Sequence, residues 1–138
     1  MPETKILIAD DEQEIRDLFV EALRRQGFDA VSARDGREAV EIIQQGGVTV
    51  AFLDLRMPGV NGIEALGEIV RISPQTQVVM IIGHYEDSTV DEALRLGSFL
   101  CLMKPFKVRD VLALLDVLDA SAVCNSGNSD GTPNSLAA

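Results

Sequence analysis

Five short aliphatic runs, Lys5 to Ala9, Ala30 to Ala33, Val48 to Leu53, Val78 to Ile82 and Phe99 to Met103, are each followed by a stretch with helical spacing. Runs this short suit buried strands. Their alternation with helical patterns predicts a parallel sheet covered on both faces through right-handed crossovers. The first helical stretch aligns Ile15, Leu18, Phe19, Ala22 and Leu23 on one stripe, and Gly27 stops it. Ala39, Val40 and Ile43 mark the second helix, and Ile63, Leu66, Ile69 and Val70 the third. Val90, Ala93 and Leu94 mark the fourth, and Val108, Val111, Leu112 and Leu115 the fifth. Gly46-Gly47, Ser73-Pro74 and Gly97 are stop signals, and Ser88 with Asp91 is a capping pair. The expected product is one three-layer α/β domain over residues 1–120, a size that holds a real core but leaves no room for a second domain.

Parallel strands bring their carboxyl ends to one edge of the sheet, where open α/β sheets bind ligands. Asp10 and Asp11 close the first run, Asp54 the third, and Lys104 the fifth, just before Pro105. Taken singly, each aspartate reads as a helix cap or a solvated residue, and the lysine as a surface residue. As a set they converge. Clustered carboxylates repel and raise one another's pKa unless a cation joins them, and all-oxygen donors suit Mg²⁺ with retained waters. Carboxylates, a divalent ion and a lysine together make a site for a phosphoryl group.

The remaining composition narrows the partners. A net charge of -10, from 12 Lys and Arg against 22 Asp and Glu, repels a phosphate backbone and argues against direct nucleic-acid binding. Proteins are the expected partners. The opening Met1-Pro2-Glu3-Thr4-Lys5 lacks signal-peptide features and no apolar run reaches membrane-spanning length, so a cytoplasmic location without membrane contact is expected. Cys101 in an apolar run and Cys124 in a polar stretch form neither a disulfide framework nor a metal spacing. Residues 121–138, rich in Ser, Gly and Asn, read as a disordered tail or a linker.

Over roughly residues 4 to 120 the chain resembles the receiver domain of two-component response regulators. The likeness rests on Asp10-Asp11, on Asp54 with the following Leu55-Arg56-Met57-Pro58-Gly59-Val60-Asn61-Gly62, on Gly83, and on Lys104-Pro105-Phe106. The resemblance implies a flavodoxin-like doubly wound sheet of five parallel strands in the order 2-1-3-4-5, with five helices. It implies that Asp54 accepts a phosphoryl group from a sensor histidine kinase or phosphotransfer protein, the domain catalysing only its own phosphorylation and dephosphorylation. Asp11, Asp54 and the backbone carbonyl of Arg56 would hold Mg²⁺, Asp10 would act through water, and Lys104 would contact the phosphoryl group. The Lys104-Pro105 bond would be cis. Arg56 and His84 would flank the site, with Gly83 and Gly62 at positions of close backbone approach. Output would pass through the surface of the fourth helix, fifth strand and fifth helix to a downstream protein or an output domain, with a homodimer among the assemblies open to it.

Two positions depart from the family pattern. Where the family has Thr or Ser at the end of the fourth strand, this chain has Ile82, which donates no hydrogen bond. Where it has Tyr or Phe, three residues before the lysine, this chain has Cys101. Phosphorylation chemistry reads as intact and its conformational readout as altered. An alternative follows, a receiver-fold interaction module whose state is largely uncoupled from phosphorylation. An Mg²⁺-dependent phosphatase is set aside, because such enzymes carry a second aspartate two residues after the nucleophile, where Arg56 stands here.

Overall fold

Strand alternation divides the interior into two halves. In a computed structural model that describes residues 4–57, 62–83, 87–104 and 106–124, five strands and five helices alternate along the chain. They are β1 (Lys5–Ala9), α1 (Gln13–Arg25), β2 (Asp29–Ala33), α2 (Gly36–Gln44), β3 (Val50–Asp54), α3 (Gly62–Ile72), β4 (Gln77–Ile82), α4 (Asp87–Leu96), β5 (Leu100–Met103) and α5 (Val108–Cys124). The strands pair in parallel, as the alternating runs predict, in the order β2-β1-β3-β4-β5 that the resemblance implies. Leu7, Leu53, Met80 and Ile82 face one way, toward Ile43 of α2, Leu66 and Ile69 of α3 and Ala93 of α4. Their neighbours Ile6, Ile8, Phe52 and Ile81 face the other, toward Phe19 and Leu23 of α1 and Val111, Leu115 and Leu118 of α5. Because both faces are covered, the central strands are apolar throughout rather than alternating, and each fully buried Leu, Ile or Phe contributes about 1.5–3 kcal/mol.

Local signals set the helix ends. Gly27, at φ +95°, closes α1 with its N–H on the Arg24 carbonyl while Phe28 N–H reaches Leu23 O, a left-handed cap that any other side chain would strain. At the start of α2, Asp35 accepts the Glu38 N–H at 2.9 Å and Glu38 accepts the Arg34 N–H at 2.8 Å, a reciprocal cap that the sequence reading does not include. Buried hydroxyls are also satisfied: Thr76 donates to the Val48 carbonyl at 2.8 Å and shares a 2.7 Å bond with Ser73, just past the end of α3.

Several sequence expectations need correction. Leu18, assigned to the buried stripe of α1, is 52% exposed, because the 3.6-residue period rotates it off the line through Ile15, Phe19 and Leu23. Leu94 is likewise exposed at the flank of α4, which buries Ala93. Ser88 lies inside α4 rather than at its N-cap, since the helix opens at Asp87. Helix α5 continues to Cys124, past the expected start of the tail at Ser121; residues 125–138 lie outside the described residues. Among the described residues no helix is long and apolar enough to cross a membrane.

Candidate functional site

The ladder ends where the chemistry begins. β1 stops at Ala9 beside Leu53 of β3, so Asp10 and Asp54 leave adjacent strands at neighbouring positions on the carboxyl edge. Asp10 N–H still bonds the Ala33 carbonyl of β2 at 3.1 Å, which turns its side chain inward, and the residue is 1% exposed. Its neighbour Asp11 is exposed. One carboxylate oxygen from each of Asp10, Asp11 and Asp54 lies within 4.8 Å of the others. An all-oxygen set from three acids suits a hard divalent cation and leaves coordination positions for water and substrate oxygens.

Asp54 is held by both oxygens. The Arg56 N–H donates to Oδ1 at 3.1 Å, and Lys104 Nζ donates to Oδ2 at 3.1 Å across the end of β4. Asp54 is only 2% exposed, so these bonds replace the water it has lost. Lys104 is in turn positioned by its backbone, whose N–H meets the Ile82 carbonyl at 2.9 Å. Burial works against the ammonium, but the Asp54 hydrogen bond and the charges of Asp54, Asp10 and Glu12 outweigh it and hold the Lys104 pKa above its usual value. It therefore stays charged. For Asp10 burial dominates. The Glu12 N–H bond at 2.8 Å opposes the shift, the Asp54 charge reinforces it, and the Asp10 carboxyl is pushed up to about 6.

The loop after Asp54 is closed by a tight approach. Gly62 N–H donates to the Leu55 carbonyl at 2.9 Å, and a Cβ at Gly62 would stand 2.6 Å from the Leu55 Cα and 2.7 Å from the Asp54 carbonyl oxygen. Only glycine fits there. Gly83 differs from expectation, since a Cβ there would meet only Lys104 Cδ, at an ordinary 3.7 Å. His84 and Pro105 fall outside the described residues, so the cis bond and the flanking role of His84 are not described.

Ile82 is fully buried and Cys101 nearly so, on the α3 and α4 side of the sheet with Met57 and Ala93. Burial pushes the Cys101 thiol up, against an opposing Ser98 hydrogen bond, which keeps it a protonated core residue rather than a reactive one. Two groups escaped the sequence reading. Glu12 adds negative charge toward Lys104. Arg16 donates from Nη1 to the Asp10 carbonyl at 2.7 Å, six residues back along the chain, and no spacing in the sequence signals it. Beside them, Phe106 stacks on Phe19 of α1 with ring centroids 5.4 Å apart, tying the chain after Lys104 to the first helix.

A family model described as the response regulator receiver domain matches residues 6–116. The regulatory protein AtoC of Escherichia coli is 36% identical over 107 residues, covering 78% of this chain and 23% of that protein. The transcriptional regulatory protein CpxR homolog of Haemophilus influenzae is 34% identical over 125 residues, covering 91% of this chain and 54% of that protein. The chain thus spans from about a quarter to about half the length of these curated relatives. A CheY-like response regulator receiver domain from Methanospirillum hungatei superposes with a TM-score of 0.82 at 25% identity, covering 88% of this chain and 98% of that one.

Proposed function

The chain belongs to the response regulator receiver domain family, and from that membership we propose that Asp54 accepts a phosphoryl group from a histidine of a sensor kinase or phosphotransfer protein. The observation that carries the reading is the convergence of Asp10, Asp11 and Asp54 with the Lys104 ammonium 3.1 Å from Asp54 Oδ2. An oxygen of Asp54 attacks phosphorus as the P–N bond of the phosphohistidine breaks; the imidazole nitrogen leaves with the bonding pair and takes up a proton. Lys104 is a fixed donor beside the reacting oxygens, which needs no reorganisation as charge develops. Asp11, Asp54 and the Arg56 carbonyl are the ligands proposed for Mg²⁺, with Asp10 acting through water. When bound, Mg²⁺ supplies positive charge against the equatorial oxygens of a loose transition state. The chain acts on itself alone, and its output passes through α4, β5 and α5 to a downstream protein or an output domain in the cytoplasm.

Incubation with a small phosphodonor and Mg²⁺ should raise the intact mass by one phosphoryl group, and Asp54→Asn should abolish the gain. Labelling that persists in Asp54→Asn, or that ignores a chelator, overturns the assignment. Asp11→Ala should weaken Mg²⁺ binding by removing a direct anionic ligand.

One observation favours a second reading of the output. Ile82 and Cys101 pack as apolar neighbours in the core shared with α4, where the family pattern has a hydroxyl and an aromatic ring. Without the hydroxyl, a charge-assisted hydrogen bond of roughly 1.5–3 kcal/mol to the phosphoryl group is lost. On this reading the phosphorylated chain keeps nearly the same α4 surface as the free one.

A further inference from the structure

We infer that Arg16 is a positioning residue for the cation site: by gripping the Asp10 carbonyl it fixes the Asp10–Asp11 peptide and so aims the Asp11 carboxylate. The inference rests on the phosphoryl-site reading above and adds a residue to it.

The two acids are held very differently. Asp10 is tied at three atoms: its N–H is on Ala33 O at 3.1 Å, its Oδ1 accepts Glu12 N–H at 2.8 Å, and its carbonyl accepts Arg16 Nη1 at 2.7 Å. Asp11 is exposed, and among the described residues no hydrogen bond or ion pair holds its carboxylate. Its direction is therefore set by the backbone that carries it. That backbone begins with the Asp10–Asp11 peptide, and the oxygen of this peptide is the atom Arg16 holds. The carbonyl lies beyond the last β1–β2 pair, Ala9 with Ala33, and among the described residues no backbone N–H bonds it. Arg16 is placed by the first turn of α1, through its own N–H on the Glu12 carbonyl at 3.1 Å. Arg16 is half-buried, and among the described residues it makes no ion pair, so this contact is what orders its guanidinium.

Charge and geometry pull in opposite directions, which makes the inference testable by sign. A guanidinium one residue from the acidic set repels a divalent cation, so by Coulomb's law alone its removal tightens cation binding. If Arg16 acts by aiming Asp11, its removal weakens binding despite the charge relief. Outer partners that orient metal ligands typically change affinity about 10- to 100-fold. The contact is a single N–H···O bond rather than a two-pronged one, so a lysine can restore it.

The test is Mg²⁺ titration of the full chain, followed by isothermal calorimetry and by the amide shifts of Asp11 and Asp54, for wild type, Arg16→Met and Arg16→Lys at fixed ionic strength. Arg16→Met should bind about 10-fold more weakly, and Arg16→Lys should recover most of the loss. With a small phosphodonor, Arg16→Met should label slowly at limiting Mg²⁺ and reach the wild-type rate at saturating Mg²⁺, a split that general destabilisation would not produce. Unchanged or tighter binding in Arg16→Met, with wild type binding normally, overturns the role of Arg16 alone. A wild-type chain that binds no Mg²⁺ overturns the site reading and this inference with it. Should Arg16→Met fail to fold, Arg16→Ala takes its place in the same titration: weaker Mg²⁺ binding than wild type supports the role, and equal or tighter binding refutes it.

Discussion

Asp10 costs the metal-free domain stability, and replacing it by asparagine should recover that cost. Its carboxyl is moved from 3.8 to about 6, chiefly by burial, with the nearby Asp54 charge adding to the effect. At about 1.4 kcal/mol per pH unit, the difference is worth roughly 3 kcal/mol as an upper figure. The sign follows from where the proton is held more tightly. The folded state keeps it up to about pH 6 while the unfolded chain loses it near 3.8, so the stability is fully present below pH 4 and is lost as pH rises through 6. Above that the wild-type chain carries an ionised carboxylate that is 1% exposed beside a second buried one, Asp54. Asparagine removes the charge and keeps an oxygen for the Glu12 N–H. In chelator at pH 7.5, Asp10→Asn should therefore be more stable by up to about 3 kcal/mol in urea unfolding, or about 10 °C in thermal midpoint. The advantage should shrink to nothing near pH 4. Saturating Mg²⁺ should narrow it at pH 7.5, since a ligand bound only by the folded state stabilises the wild type by mass action. A variant that is no more stable than wild type at pH 7.5 without metal, or whose advantage does not grow with pH, refutes the reasoning.

Glycine substitutions should separate a steric requirement from mere smallness. Gly62→Ala drives a methyl to 2.6 Å from backbone carbon and should cost about 1–3 kcal/mol in urea unfolding, with slower labelling of Asp54, whereas Gly83→Ala makes only a 3.7 Å contact and should stay within about 0.5 kcal/mol. The readout prediction concerns the buried pair Ile82 and Cys101. Amide shifts caused by a beryllofluoride phosphoryl mimic should stay near Asp54 in the wild type and spread into α4 and β5 in the double variant Ile82→Thr with Cys101→Tyr. Losing a hydrogen bond of 1.5–3 kcal/mol shrinks the population shift by about 10- to 100-fold. Equally widespread shifts in the wild type would mean that another residue has taken over the switch.

Much of this domain was legible in one dimension because its determinants are local and repeated. Apolar runs of strand length, helical stripes and left-handed glycine caps need no knowledge of the fold, and Gly27 and Gly97 sit at positive φ as their positions predicted. Parallel pairing then carries Asp10, Asp11, Asp54 and Lys104 to one edge without further information, because every strand runs the same way. What the sequence could not decide is which of two adjacent aspartates is buried. Asp10 turns in because β2 offers its N–H one more ladder bond, and Asp11, one residue on, stays exposed at the rim of the same site. Leu18 and Leu23 both belong to the apolar stripe of α1, yet one is 52% exposed and the other fully buried, because they lie on opposite flanks of the stripe and only the Leu23 flank meets the core. Gly62 and Gly83 are the same residue beside the same site, and only the path of the backbone shows that a methyl collides at the first and fits at the second. Arg16 bears no motif at all. Its hydrogen bond to Asp10 exists because α1 folds back over the end of β1, and a contact between a side chain and a carbonyl is a property of three-dimensional distance that no spacing rule encodes.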